Sequence, residues 1–174
     1  DIITEKNIYN ILNIINNKKP NITINLPKNI NITKEYNYLI FNTNILNNDY
    51  KIEFIQEIEK DNWKIEKIEN TNENGNNICR LNSKDIKLPL YIRNRKNGDK
   101  ITLLGLNKEK KVKDIFIEKK IPLSLRNSYP LLIDSDNNIL WIPNVKKSNF
   151  NRKNNEKCDI ILRYCETKEE NINE

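Results

Sequence analysis

Positively charged side chains are concentrated in one segment of this 174-residue chain. Residues 86–130 contain nine Lys and three Arg but only four acids, so the segment has a net charge of +8, whereas the whole chain has +6. The remaining residues are therefore slightly acidic as a group. A local excess of positive charge favours a surface that binds a polyanion over a general need for solubility.

The spacing of these charges favours an ordered surface. Arg93 and Arg95 are two residues apart, which places both on the same face of a strand. Lys100 follows the NGD sequence, a turn in which the glycine supplies a positive φ. A second interpretation stays open: the KEKK run is also typical of a solvated loop, and the two arginines could simply pair with Asp99 and Asp114.

The sequence contains few of the residue patterns that form catalytic or metal sites. It has no His, and its three cysteines form no CxxC pair, so neither a zinc site nor a disulfide framework is expected, and a reducing cytosol suits the chain. Asp99 and Asp114 could form an acid–base pair, but a turn and a helical position are better explanations of them. No apolar run is long enough to predict a membrane span. The cysteines are Cys79, Cys158 and Cys165.

The first half of the chain predicts a helix followed by antiparallel strands. Apolar residues at helical spacing predict a helix over about residues 4–17, with Thr4 as its N-cap. Alternating residues over 21–41 predict a small meander, and those over 50–69 predict a hairpin with one solvated face. The helical stripe consists of Ile8, Ile11, Leu12 and Ile15.

The second half predicts a mostly β region with one helix. The polar TNENGNN sequence around Gly75 predicts a linker, and a domain boundary is expected there. The VKDIFIEKK sequence predicts a helix over 112–120 that ends before a proline. A hairpin is expected over 129–143 around the SDNN turn, and a last strand over 158–166.

One segment resembles the C-terminal domain of the tRNA(Ile)-lysidine synthetases. It reads LPLYIRNRKNGDKITLLGLNKEKKVKDIFIEKKIPLSLRNSYPLLID and continues to ILWIP, and the resemblance extends over about residues 86–145. The combination of GD, KKxKD, KIP and ILWxP carries it. The earlier INLPKNINITKEYNYLIF segment is similar to the end of the family's substrate-recognition domain. Single departures, such as Leu103 in place of a usual proline and Lys108 in place of a usual glycine, leave the pattern intact.

The resemblance implies a parent enzyme that ligates lysine to the wobble cytidine of an isoleucine tRNA, with ATP and Mg²⁺ used in an N-terminal ATP-pyrophosphatase domain. The phosphate-binding SGGxDS loop of that domain does not occur in this sequence. The chain starts at Asp1 and has no Met, so we expect it to be part of a longer protein. It should hold no cofactor and have no ligase activity alone, and the parent enzyme should be cytoplasmic.

The resemblance also implies a fold and a partner. The expected class is α+β and mostly β. A mixed piece over 1–76, the end of the substrate-recognition region, precedes a barrel-like C-terminal domain over 77–174 with one helix, which resembles a tRNA-associated domain of the phenylalanyl-tRNA synthetase β-subunit. The expected partner is the tRNA(Ile) acceptor stem, with no membrane and no DNA. The predicted RNA-binding residues are Arg93, Arg95, Lys100, Lys108, Lys110, Lys111, Lys113 and Arg126.

A protein-interaction or dimerisation module is the alternative to RNA binding. In that interpretation the basic segment only keeps a β surface soluble, and the chain self-associates without affinity for RNA. The two interpretations are compatible if the parent enzyme is a homodimer.

Overall fold

The computed structural model describes residues 4–28, 30–43, 49–106 and 108–167. The chain divides into two compact units. The first unit comprises residues 1–48 with 122–125, and the second comprises 49–121 with 126–174. The division after residue 48 lies well before the boundary expected at residue 76.

The first unit consists of a helix and a small antiparallel sheet. Helix α1 (Glu5–Asn16) is capped by Thr4, whose Oγ1 accepts the backbone N–H of Asn7 at 3.3 Å. The predicted helix, its cap and the predicted meander are therefore confirmed. Most of the apolar stripe is not buried: Ile8, Leu12 and Ile15 are about half exposed, and Ile14 is the buried residue of the helix. The sheet has the order β1 (Asn21–Leu26), β2 (Ile30–Glu35) and β3 (Tyr38–Thr43).

The other described residues form mostly β structure with two short helices, of which the second lies largely in the 122–125 segment of the first unit. Two large sheets have the orders β13-β12-β11-β8-β4 and β5-β6-β14-β7, and β9 and β10 form a hairpin. The predicted class, α+β and mostly β, is confirmed. The expectation of a barrel-like domain needs correction, because the sheets of the described residues stay open. The elements are β4 (Lys51–Phe54), β5 (Glu57–Lys60), β6 (Trp63–Ile68), β7 (Ile78–Leu81), a 3-10 turn (Ser83–Asp85), β8 (Leu90–Asn94), β9 (Lys100–Thr102), β10 (Glu109–Lys111), α2 (Val112–Glu118), α3 (Leu123–Arg126), β11 (Pro130–Ile133), β12 (Ile139–Ile142), β13 (Lys146–Lys147) and β14 (Ile160–Glu166).

The five-stranded sheet lies between two apolar cores, which explains why its central strands are apolar on both faces. One core, here the inner core, fills the space between the two large sheets and contains Leu132 and Trp141. The other, the outer core, contains Leu131 and Ile133 and is covered by the β9–β10 hairpin and by Val112, Ile115 and Phe116 of α2. Consecutive residues of β11 thus point into different cores. The predicted 112–120 helix and the predicted 129–143 hairpin are confirmed by α2 and by β11 with β12.

The loop over residues 71–77, where the sequence predicts a linker, is held by hydrogen bonds to other residues of the second unit. Arg80 is 2% exposed, and its Nη2 donates to the carbonyl oxygens of Thr71 and Glu73, both at 2.8 Å. The indole Nε1 of Trp141 donates to the carbonyl oxygen of Asn76 at 2.9 Å. Buried donors must find acceptors, and here the loop backbone supplies them.

The predicted hairpin over 50–69 is only partly confirmed. Strands β5 and β6 form it, with Ile58 opposite Ile65 and both side chains buried. Charged residues alternate with them on the other face, as expected. Strand β4 instead pairs with β8 at the edge of the other sheet, so residues 55 and 56 join the two sheets.

Candidate nucleic-acid interface

Arg93 and Asp99 form a two-point ion pair at the base of the β9–β10 hairpin. Nη1 lies 2.8 Å from Oδ2, and Nη2 lies 2.8 Å from Oδ1. The carboxylate also accepts the backbone N–H of Lys96 at 2.7 Å, which closes the turn before β9. The carbonyl oxygen of Asp99 accepts the N–H of Val112, the first residue of α2, at 2.9 Å. One ion pair therefore fixes where the turn, the hairpin and the helix meet.

Two of the predicted contact residues are buried. Arg93 is 5% exposed, and its charge is matched by Asp99. Arg126 is 8% exposed, and its Nε donates to the carbonyl oxygen of Ile121 at 2.8 Å. Side chains with so little accessible surface have almost nothing to offer a phosphate. The prediction that Arg93 and Arg126 contact RNA is therefore corrected: both hold the scaffold together.

Arg95 is held between two amide side chains. Its Nη1 donates to Oδ1 of Asn127 at 3.0 Å, and its Nη2 donates to Oδ1 of Asn97 at 3.2 Å. Both partners are neutral, so the guanidinium is positioned without losing its charge. Neither Asp99 nor Asp114 pairs with Arg95 in the described part of the chain. The interpretation in which Arg95 forms an ion pair with one of these acids is therefore not supported.

The pairing of β9 with β10 decides which lysines face outwards. Lys100 lies opposite Lys111, and Thr102 lies opposite Glu109, so these four residues share one face of the hairpin. Like charges directly opposite each other are unfavourable in an antiparallel pair. The Nζ of Lys100 contacts Oε2 of Glu109 at 3.1 Å, which offsets part of this repulsion.

Lys110 lies on the other face of the hairpin, where it meets α2. It is opposite the buried Ile101, and its Nζ pairs with Oε2 of Glu118 at the end of the helix. The hydrogen bond and charge of Lys110 lower the pKa of the Glu118 carboxyl, and the charges of Lys146 and Lys119 lower it further. Three cations therefore surround one carboxylate at this end of α2.

Three predicted contact residues keep their charge available. Lys108, Lys111 and Lys113 are exposed, and no carboxylate of the described residues forms an ion pair with them. They follow the hairpin from its tip to the first turn of α2. Together with the paired Lys100, which is exposed, and the paired Lys110, which is partly exposed, they form what we call the basic ridge: Lys100, Lys108, Lys110, Lys111 and Lys113.

Two residues near the basic ridge were missed from sequence. Lys146 belongs to β13 and follows the ILWIP motif, too far along the chain to be grouped with the KEKK run. Asn127 holds Arg95, but one Asn in a chain rich in Asn gives no signal. Only the pairing of β12 with β13 and the fold of the chain after α3 bring these residues to the site.

Other kinds of site find little support. The described residues contain no group of three or more His, Cys, Asp or Glu that could hold a metal ion. Burial raises the pKa of the Cys79 thiol, which makes it less nucleophilic at neutral pH. Among the described helices none is long and apolar enough to cross a membrane.

The region that carries the basic ridge is similar to known proteins. Residues 90–162 match the family described as the TilS substrate C-terminal domain. A crystal structure of a TilS C-terminal domain is 31% identical and superimposes with a TM-score of 0.62, covering 70% of this chain and 99% of that one. The tRNA(Ile)-lysidine synthase of Bacillus licheniformis is 46% identical over 93 residues. This chain belongs to the tRNA(Ile)-lysidine synthase family. The resemblance found in the sequence is therefore confirmed.

Similarity to the synthase family extends beyond the matched domain. The bifunctional protein TilS/HprT of Listeria innocua is 37% identical over 172 residues, which is 94% of this chain and 26% of that protein. The Bacillus licheniformis match covers 52% of this chain and 19% of the synthase. The chain thus spans about a quarter or less of these relatives. A weaker structural match, with a TM-score of 0.42 and 25% identity, is an N-terminal fragment of the phenylalanyl-tRNA synthetase β-subunit from Pyrococcus horikoshii.

Proposed function

We propose that this chain is the tRNA-binding C-terminal region of a tRNA(Ile)-lysidine synthetase and that the basic ridge docks the acceptor stem of an isoleucine tRNA. The observation that carries this proposal is the set of lysines that follow the β9–β10 hairpin into α2, four of them exposed, with the base of the hairpin fixed by Arg93 and Asp99. Membership of the synthase family favours a tRNA as the partner, and the basic ridge is a surface suited to the RNA backbone.

The ridge suits the backbone of an RNA helix. The major groove of A-form RNA is too narrow for side chains, so proteins hold such helices mainly through phosphates and 2′-hydroxyls. Lys100 and Lys111 lie opposite each other, which costs folding energy in the free chain. A phosphate between them would remove that repulsion. RNA binding should therefore remove a charge repulsion that destabilises the hairpin in the free chain.

The chemistry of the parent enzyme is part of the same proposal. Lysine would be ligated to the wobble cytidine in an N-terminal domain that uses ATP and Mg²⁺, and we assign none of the residues of this chain to either cofactor. The chain alone should therefore bind tRNA without modifying it. A cytoplasmic location is compatible with the three free cysteines of the described residues.

A binding titration tests the proposal. The chain is titrated into a fluorescein-labelled hairpin of an isoleucine tRNA acceptor stem and into a scrambled hairpin, at several salt concentrations. Affinity should fall steeply with salt and should favour the cognate stem. The Lys111→Ala/Lys113→Ala variant should bind more weakly, with a salt slope shallower by roughly one to two, because about one counterion is released for each neutralised phosphate.

A matched control separates the ridge from total charge. Lys153→Ala/Lys157→Ala removes the same charge from an exposed loop that borders β7, where Arg152 donates its backbone N–H to the carbonyl oxygen of Arg80. This control should keep the wild-type slope. Equal slopes in all three proteins, or no binding at low salt, would refute docking through the ridge.

A protein-interaction or dimerisation module is the second candidate, and one observation favours it. Ile8, Tyr9, Leu12 and Ile15 of α1 are all about half exposed or more, which is unusual for large apolar side chains on one short helix. Sedimentation of the chain without RNA tests this candidate. Self-association that Leu12→Glu abolishes would support it, and a monomer at high concentration would argue against it.

A further inference from the structure

Two carboxylates pair with lysines of the basic ridge, Glu109 on the outward face of the hairpin and Glu118 on the side that meets α2, and each has one oxygen without a partner among the described residues. Glu109 pairs with Lys100, and Glu118 pairs with Lys110, in both cases through Oε2. Within the described residues, Oε1 of either side chain has no hydrogen-bond partner. The Glu109 side chain is 61% exposed, and that of Glu118 is 53% exposed. A ligand that reaches these lysines therefore also meets two free acceptor oxygens.

Each Lys–Glu pair offers a donor and an acceptor side by side. An ammonium donates to a phosphate oxygen, whereas a carboxylate only accepts hydrogen bonds and repels phosphate. The RNA backbone carries a matching set in every nucleotide: a phosphate, which accepts, and a 2′-hydroxyl, which can donate. The DNA backbone has the phosphate but no such donor. Polyanions without a hydroxyl would meet the carboxylates only as like charges.

Position and exposure suit both carboxylates to this role. The register of the hairpin places Glu109 on the same outward face as Lys100 and Lys111. Glu118 lies at the end of α2 against Lys110, and the hydrogen bond and charge of that lysine lower the pKa of its carboxyl. Both groups are therefore exposed, charged and adjacent to a lysine of the ridge.

We propose that Glu109 and Glu118 determine specificity for RNA, by accepting hydrogen bonds from ribose 2′-hydroxyls while Lys100 and Lys110 hold the adjacent phosphates. This inference rests on the proposed function, because it requires that the ridge binds a nucleic acid. It adds that acids within a basic surface select the kind of backbone, whereas the lysines supply most of the affinity.

The decisive comparison uses two acceptor-stem hairpins of one sequence, one with natural ribose and one with 2′-fluoro ribose. The fluoro hairpin keeps the A-form helix but has no 2′ donor. The wild-type chain should bind the natural hairpin roughly tenfold more tightly, since hydrogen bonds to charged groups are among the stronger ones. Glu109→Ala/Glu118→Ala should reduce this ratio to near one and should bind the fluoro hairpin more tightly than the wild type does.

Glu53→Ala/Glu59→Ala removes two other exposed acids, on β4 and β5, and should keep the wild-type ratio. A wild-type ratio near one overturns the inference even if the Glu109/Glu118 variant fails to fold, and so does an unchanged ratio in that variant. In both cases salt-dependent binding would persist, and the proposed function would stand. Failure of the wild type to bind either hairpin at low salt would overturn the proposed function and, with it, this inference.

Discussion

Arg93 and Asp99 are six residues apart in sequence, and both nitrogens of the guanidinium terminus meet both oxygens of the carboxylate at 2.8 Å. Their side chains are 6% and 11% exposed. In a site this dry, removing one partner leaves the other as an uncompensated buried charge. The pair therefore contributes to stability mainly through the cost of breaking it.

Arg93→Met should lower the free energy of unfolding by about 3–5 kcal/mol, the usual cost of breaking a buried ion pair. Urea denaturation followed by tryptophan fluorescence measures this loss. Arg152→Met is the matched control, because Arg152 pairs with Asp85 at the surface and such pairs contribute about 1 kcal/mol or less. Similar small losses in both variants would show that the Arg93–Asp99 pair does not hold the hairpin.

Arg80→Met should open the loop over residues 71–77. The change removes the donor that holds the carbonyl oxygens of Thr71 and Glu73, so the loop should unfold locally roughly tenfold more often. Endoproteinase Glu-C cleaves after glutamate, and mass spectrometry of the products measures cleavage after Glu73. The exposed Lys153→Met variant should be cleaved there at the wild-type rate. Rapid cleavage after Glu73 in the folded wild type would instead support the linker that the sequence predicted.

Stability should fall in alkaline solution above about pH 10. Burial, with a smaller contribution from the charge of Asp61, raises the pKa of Tyr50, whose hydroxyl donates to the carbonyl oxygen of Ser128 at 3.0 Å. Burial likewise raises the pKa of Tyr164, to about 12. In the unfolded chain these phenols ionise near pH 10, so above that pH the unfolded state binds fewer protons and is favoured.

Tyr50→Phe isolates one contribution to this pH dependence. The variant should lose some stability at pH 7 with the hydrogen bond, but its free energy of unfolding should fall less steeply between pH 10 and 12, by up to about 1 kcal/mol per pH unit. Denaturation at several pH values gives both slopes. Parallel curves for wild type and variant would mean that Tyr50 titrates normally in the folded chain.

The three thiols should react at different rates with iodoacetamide at pH 8. Cys79 is fully buried with a raised pKa, whereas Cys158 and Cys165 are half-buried. Peptide mass spectrometry should find Cys158 and Cys165 labelled in the folded chain and Cys79 labelled only after denaturation. Labelling of all three at one rate would contradict the buried position of β7.

Single helices and hairpins were predictable because the residue patterns that specify them lie within the element itself. The helical periodicity before Lys18 and the SDNN turn between β11 and β12 each specify one element without help from the rest of the chain. The VKDIFIEKK pattern likewise predicted α2, whereas the β9–β10 hairpin was not predicted. The pairing of distant strands has no such local signal, so the transfer of β4 to the sheet of β8 was not predictable from the alternation over 50–69.

The sequence located the basic segment as a region, but it did not show which of its side chains are exposed. Arg93 and Arg95 have the same type and the same predicted face, yet one is buried against Asp99 and the other is held by neutral amides. Burial depends on the outer and inner cores, which sequence spacing does not describe. The stripe on α1 predicted the helix but not its surroundings, because amphipathic spacing does not say what covers a helix, and Ile8, Leu12 and Ile15 are about half exposed.

The position of β14 has a consequence for how the protein is made. This strand is the last in the described chain, yet it lies in the middle of its sheet, paired on one side with β6 and on the other with β7. During synthesis, β6 and β7 leave the ribosome long before the strand that separates them. Until β14 emerges they have unpaired edges and an incomplete inner core, the state in which strands aggregate most readily. We therefore expect premature termination before residue 160 to yield insoluble protein rather than a smaller folded domain.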